Sequence, residues 1–131
     1  MMAVDASAVL AVVFGESDGA KFEVALSRST RKTMSAVNYW EVLVRARDQR
    51  GAPGAAQAEA LLSTSQVEIA PVTAETARAA AKAFERYGRR TPAGLNLGDC
   101  FAYALAQSEG DGLLCKGDDF SKTDVRNALA L

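Results

Sequence analysis

The sequence predicts an α/β fold in which a short central parallel sheet is covered by helices on both faces. Three observations predict it. Short apolar runs recur along all 131 residues, each too brief to be a helix. Longer segments with helical periodicity separate them. Glycine, proline and capping residues fall at the junctions, and no linker, repeat or low-complexity tract interrupts the series, so residues 1–131 read as one domain.

In chain order, Met2 to Val4 is the first apolar run and ends at Asp5, and Ser7 to Phe14 reads as a helix stopped by Gly15. Ser17 or Asp18 is placed to cap a second helix through Leu26. Lys32 to Met34 is the next strand, leading into a helix from Ala36 to about Arg50. Gly51-Ala-Pro-Gly54 breaks that helix, and an Ala-rich helix follows to Leu62. Val67 to Ile69 is a third strand. Thr73 opens a regular helix to Tyr87, with Ala77, Ala80, Ala81 and Phe84 on one stripe and Glu75, Arg78, Lys82, Glu85 and Arg86 opposite. After a loop over residues 88–95, Asn96 to Glu109 forms a further helix and Gly112 to Cys115 a strand. The tail from Thr123 is expected to add a last edge strand. Parallel sheets of this kind carry their sites at the carboxyl ends of the strands, near a topological switch point.

Composition restricts the chemistry. There is no histidine, which removes Ser-His-Asp and Cys-His nucleophile systems, imidazole bases and the usual zinc ligand sets. Cys100 and Cys115 have no CxxC spacing and lie in apolar runs, as buried free thiols of a reducing cytosol do. The apolar stretch from Ala8 to Phe14 lacks the positive flank of a signal peptide, since no Lys or Arg precedes Lys21. No run approaches the ~20 apolar residues of a membrane span. The expectation is a soluble, cytoplasmic protein without a membrane partner.

Fifteen basic and sixteen acidic residues nearly cancel, but they segregate. Six basic residues between Arg28 and Arg50 face only Glu41 and Asp48, whereas six acids from Asp99 to Asp124 face only Lys116 and Lys122. Solvated helix faces account for part of this. A basic surface beside an acidic pocket is also what a polyanion bound with a metal ion requires.

Four acidic positions do not read as ordinary surface. Asp5 ends the first strand, where it can cap the following helix and also face a site, with Ser7 placed to hold it. Glu41 shares a helix face with Val37 and Val44, the face that also holds Trp40, and a carboxylate there needs a cation or strong donors. Arg45 stands at the spacing of a surface pair with it. Asp99 precedes the apolar stripe Ala102, Tyr103 and Ala106, lies beside the small Gly98, and has the offset of a capping box with Asn96. Asp118 and Asp119 follow a strand across Gly117, where turn residues are also common. Oxygen ligands without imidazole suit Mg²⁺ or Mn²⁺, which orients and activates water at phosphorus. No EF-hand loop is present.

The segments Ala3-Val-Asp-Ala-Ser-Ala-Val-Leu10, Met34-Ser-Ala-Val-Asn-Tyr-Trp-Glu41, Leu95-Asn-Leu-Gly-Asp-Cys-Phe-Ala-Tyr-Ala104 and Leu113-Leu-Cys-Lys-Gly-Asp-Asp-Phe-Ser-Lys-Thr-Asp124 resemble, in order and spacing, the PIN-domain ribonucleases. They are most similar to the VapC toxins of bacterial toxin–antitoxin modules. The resemblance implies a three-layer α/β/α sandwich with four or five parallel strands, and Mg²⁺-dependent endoribonuclease activity in which Mn²⁺ is a possible substitute. It implies Asp5 and Asp99 as direct metal ligands and Glu41 as a ligand, directly or through water, or as general base. Asp118 and Asp119 both qualify as the last acid, with Asp119 in the more characteristic Asp-Phe pair, and Ser7 is a polar orienter. Arg89 and Arg90, with Lys116, are the candidates to hold the RNA backbone. The implied substrate is structured RNA such as tRNA or rRNA, and the implied partner a VapB-like antitoxin whose arm brings a basic side chain to the acids. A homodimer, itself part of a toxin–antitoxin hetero-oligomer, is also implied. Leu10, Val13, Phe14, Trp40 and Leu43 are candidates for its interface, with core burial the competing fate.

Rival readings are weaker. A receiver domain needs an acid after the third strand, where Ala70-Pro-Val-Thr stands, and a DxD phosphatase needs a second acid where Ser7 stands. A non-catalytic α/β module that uses the acids to bind a cation or partner is the alternative.

Overall fold

The computed structural model describes residues 1–130. Four strands form one all-parallel sheet: β1 (Met2–Val4), β2 (Lys32–Ser35), β3 (Val67–Ala70) and β4 (Leu113–Leu114), in the order β3-β2-β1-β4. Ala3 pairs with Thr33 on one side and Leu113 on the other, so β1 is central. The chain steps outward from β1 to β3, then crosses back to lay β4 against the free side of β1. That reversal is the switch point at which open α/β sheets form clefts.

The period-2 alternation of strands sorts side chains into two cores. Met2, Val4, Met34 and Leu114 face α1 (Ala6–Val13), α2 (Gly19–Leu26) and α3 (Ala36–Thr64). Ala3, Leu113 and Cys115 face α4 (Ala74–Tyr87) and α5 (Leu97–Glu109). The result is the expected three-layer α/β/α sandwich. Both free thiols are buried, and no described helix is long and apolar enough to cross a membrane.

Caps explain where the helices start. Asp5 caps α1, Ser35 caps α3 through a hydrogen bond from Val37 N, and Thr73 and Asn96 build reciprocal capping boxes on α4 and α5. The Gly51-Ala-Pro-Gly54 break is a kink within α3: Gly51 takes φ 66°, ψ −163°, and Pro53 sits in the first turn that follows, where its missing N–H costs nothing.

Several expectations change. The tail adds no fifth strand: Leu113 and Asn127 make a single parallel bridge, and the chain then turns into a 3₁₀ segment, Ala128–Ala130. Asp18 precedes α2 without a side-chain cap bond, because its carboxylate receives Lys116 Nζ instead. The buried face of α3 is Asn38, Val42 and Ala46, while Trp40 is 63% exposed and Val44 42%. On α4 the buried residues are Ala80 and Ala83, which leaves Ala77, Ala81 and Phe84 open. Leu10 and Val13 belong to the core and are removed from any subunit interface, whereas Phe14 and Leu43 are half-buried.

Candidate active site

The cleft is assembled from caps. Asp5 leaves β1 at its carboxyl end with extended backbone, and its Oδ2 accepts hydrogen bonds from Ser7 N (3.1 Å) and Ser7 Oγ (2.5 Å). Ser7 Oγ in turn accepts from Lys116 N at 2.9 Å, tying the start of α1 to the loop after β4. Asp99 stands in the first turn of α5, where its Oδ2 accepts from Asn96 N at 3.1 Å while Asn96 Oδ1 accepts from Asp99 N at 2.9 Å. Glu41 lies one turn into α3, with Oε1 accepting from Asn38 Nδ2 at 2.8 Å. Each of these carboxylates therefore has one oxygen fixed by its own chain segment. No described residue donates to Asp5 Oδ1, Glu41 Oε2 or Asp99 Oδ1.

Asp5, Ser7, Glu41, Asp99, Lys116 and Asp119 line one polar cleft of about 200 Å³, joined by Arg45, Asn96 and Phe120. A larger groove of about 680 Å³ lies between α4 and α5; its wall is mostly apolar, with Arg89 and Asn96 among its lining, and carries no carboxylate. The chemistry belongs to the smaller cleft. Asn96 is the residue the two share.

The acids of the cleft disfavour one another's ionisation. Burial pushes the Asp5 carboxyl above its ordinary value against the Ser7 hydrogen bonds, and the charge of Glu41 adds to the rise. Burial likewise raises Glu41, opposed by the Asn38 bond and the Arg45 charge and reinforced by Asp99. Asp99 is pushed up to about 6, first by burial, then, against the Asn96 bond, by the charges of Asp5 and Asp119. The same field reaches Cys115, whose buried thiol is raised to about 12 with Asp5 and Asp99 contributing.

Carboxylates that are desolvated, mutually repelling and left with open oxygens fit a hard cation. Among the described residues, no three acidic or sulfur side chains already stand around one point as a finished cage. An Mg²⁺ ion, which keeps several waters and needs one or two carboxylates, is compatible with that arrangement.

The sequence candidates divide. Between the two alternatives for the last acid, Asp119 lines the cleft, at the head of the 3₁₀ turn Asp119–Lys122, and Asp118 does not. Lys116 lines the cleft too, but its ammonium is paired with Glu16 and with Asp18 (3.1 Å). Arg89 and Arg90 do not line the acidic cleft and stand around Phe84, Glu85 and Thr91, but Arg89 also lines the larger groove that meets the cleft at Asn96. Arg45, read as the surface partner of Glu41, makes no ion pair among the described residues and lines the cleft instead. Asn38 and Asn96 are additions. Both stand three positions before an acid, Asn38 before Glu41 and Asn96 before Asp99, an offset visible in the sequence.

A family model described as PIN domain matches residues 2–126. The VapC ribonuclease Mb2780c of Mycobacterium bovis is 45% identical over 130 residues, covering 97% of this chain and 98% of the relative. Ribonuclease VapC42 of Mycobacterium tuberculosis gives the same figures. Ribonuclease VapC of Mycolicibacterium smegmatis is 40% identical over 125 residues, covering 95% and 97%. Among solved structures, Mycobacterium tuberculosis VapC20, described as a sarcin–ricin loop cleaving toxin, superposes with a TM-score of 0.79 at 19% identity over 96% of this chain and 97% of that one. A toxin–antitoxin complex from Klebsiella pneumoniae gives 0.69 at 17% identity, covering 95% and 93%. Sequence motifs, sheet order and relatives agree: this chain belongs to the PIN-domain family, among the VapC ribonucleases.

Proposed function

We propose that this protein is an Mg²⁺-dependent endoribonuclease, with Mn²⁺ a workable substitute, and the toxin of a VapBC-type pair. The observation that carries the reading is the convergence of Asp5, Glu41, Asp99 and Asp119 in one cleft at the carboxyl ends of β1 and β4. Asp5 Oδ1 and Asp99 Oδ1 are the oxygens that would hold the ion, and Glu41 Oε2, also open, would serve as general base rather than as a third ligand. Once bound, it supplies positive charge for a phosphate oxygen and lowers the pKa of a water.

The chain's own residues do the rest. Ser7 and Asn96 fix the orientation of Asp5 and Asp99 before any ligand arrives. Glu41, its carboxyl already raised in pKa, is suited to accept a proton from the attacking water at Oε2. Asp119 adds charge to the open side. Arg45, which makes no ion pair among the described residues, gives the cleft a cation and would take a non-bridging phosphate oxygen, holding the backbone without reading sequence, while the Lys116 ammonium is occupied by Glu16 and Asp18. Hydrolysis adds water across one P–O bond, leaving a 5′-phosphate and a 3′-hydroxyl. The substrate class is structured RNA with unpaired bases, tRNA or rRNA being the candidates. The apolar groove between α4 and α5, joined to the cleft at Asn96, offers a VapB-like antitoxin arm a path to the acids. The exposed apolar shelf of Trp40 and Val72 suits a second copy in a homodimer.

Purified, antitoxin-free protein incubated with cellular RNA tests the reading, with 5′-end sequencing of the products. Cleavage at few sites is expected with Mg²⁺ or Mn²⁺, abolished by chelation and by Asp5→Asn or Asp99→Asn in folded variants. Intact RNA in every metal condition would favour the non-catalytic module.

A further inference from the structure

We propose that Asn38 and Gly98 form a cradle that positions Glu41, with Asn38 acting as a positioning residue for the acidic cleft. The inference rests on the reading of that cleft as a nuclease site and adds to it the device that aims the second acid.

Asn38 is fully buried, yet it carries two donors and an acceptor. Its Nδ2 divides its two hydrogens between Glu41 Oε1, 2.8 Å away on the same helix, and Gly98 O, 3.0 Å away in the first turn of α5. The amide thus joins two helices 60 positions apart in sequence at the point where each presents an acid. Among the described residues, Asn38 Oδ1 has no hydrogen-bond partner. A buried polar side chain that leaves its acceptor unsatisfied is destabilising compared with an apolar residue of the same shape. A side chain that only filled the α3–α5 contact would not need an amide. One that must direct a carboxylate would.

Gly98 completes the device from the opposite side. A Cβ built at position 98 would lie 2.6 Å from Glu41 Cδ and from Oε2, and closer still to Oε1. The Glu41 carboxyl therefore rests on the bare Cα of Gly98, and any side chain there would drive it away. Gly98 sits in the first turn of α5 with no positive φ, so its backbone does not require glycine. The nearest atoms that a side chain there would meet are all those of the Glu41 carboxyl. This also explains how Glu41 is half-buried although its neighbour Trp40 is exposed: α5 covers it, not the apolar face of its own helix.

Positioning and plain structural support predict different outcomes for Gly98→Ala. Alanine has the higher helix propensity, so a purely structural glycine would be replaced without harm to the site. The test uses full-length Asn38→Ala, Gly98→Ala and Glu41→Gln, singly and paired with Glu41→Gln, each checked for folding by circular dichroism. Mn²⁺ dissociation constants come from calorimetry, and metal-free unfolding constants from urea titration. Each single variant is expected to weaken Mn²⁺ about 10- to 100-fold, as loss of an outer-shell partner does. In the Glu41→Gln background, Asn38→Ala and Gly98→Ala should change Mn²⁺ affinity less than twofold. In the metal-free cycle, the Asn38–Glu41 pair should be non-additive by about tenfold in the unfolding constant. Unchanged Mn²⁺ affinity in folded Gly98→Ala and Asn38→Ala, or full additivity with Glu41→Gln, would overturn the proposal. Non-additive unfolding in a wild type that cuts no RNA would instead uphold the cradle and sink the nuclease reading, so the two failures are distinct.

Discussion

Asp99→Asn should make the metal-free protein more stable while destroying its proposed activity. Asparagine keeps the shape and an oxygen to accept from Asn96 N, so the cap on α5 survives. What it removes is a charge the fold resists. Raising the Asp99 carboxyl from its ordinary 3.8 to about 6 corresponds to about 3 kcal/mol of unfavourable ionisation, a figure already net of the Asn96 bond. Asp99 borders solvent in the cleft, and screening reduces this to about 1–2 kcal/mol. For a chain of this size the melting temperature in EDTA at pH 7.5 should rise by about 3–8 °C. The sign fixes the pH window. A carboxyl raised in the fold leaves stability intact below 3.8, where both states are protonated, and that stability is lost as pH climbs through about 6. The advantage of Asp99→Asn should therefore vanish near pH 4 and be complete by pH 7.5. Excess Mg²⁺ or Mn²⁺ should reverse the order, because only the wild type gains the linkage term of a bound ion. Differential scanning fluorimetry across pH, with and without metal, reads all of this. A variant no more stable than wild type in EDTA at pH 7.5, or a gap of equal size at pH 4, would refute the reasoning.

Two further outcomes are expected. Cys115, raised to about 12 by burial and by Asp5 and Asp99, and Cys100, raised by burial and Asp99, should both resist a thiol reagent at pH 8 in the native protein and react promptly in denaturant; fast labelling of the folded chain would contradict the burial described. Gly51→Ala forces a side chain into φ 66° at the kink of α3 and should cost about 1 kcal/mol, lowering the melting temperature by a few degrees with the cleft unaffected; an unchanged melt would mean that the kink relaxes.

What the sequence disclosed follows from the range of the interactions involved. Asp5 as a cap and the Asn96–Asp99 box depend on neighbours two or three positions away, and both stand as read. The face of α3 does not: Val37, Trp40 and Val44 look like a core stripe until α1 and α5 select Asn38, Val42 and Ala46. Glu41 was singled out for burial on the wrong side of its helix, because the group that covers it, Gly98, is supplied by a distant turn. The choice between Asp118 and Asp119 is similar. The bend at Gly117, with φ 100°, and the 3₁₀ turn after it carry Asp119 to the cleft, and no periodicity encodes that. Arg45 lines the cleft although its spacing from Glu41 reads as a routine helix pair, because the contact that matters comes from other elements of the fold, while Arg89 lines the adjoining groove.

The pairing of β1 with β4 sets a timetable for the molecule. Asp5 follows β1, Asp119 follows β4, and the bond from Lys116 N to Ser7 Oγ spans 109 positions. A growing chain holds β1, β2 and β3 long before β4 exists, so one side of β1 waits unpaired while translation proceeds. Contacts of such sequence separation form late in folding as well as late in synthesis. The cleft is therefore completed only when β4, the last of the four strands in chain order, has docked against β1. A chain that stops short of β4 lacks Lys116 and Asp119 and leaves one side of β1 unpaired.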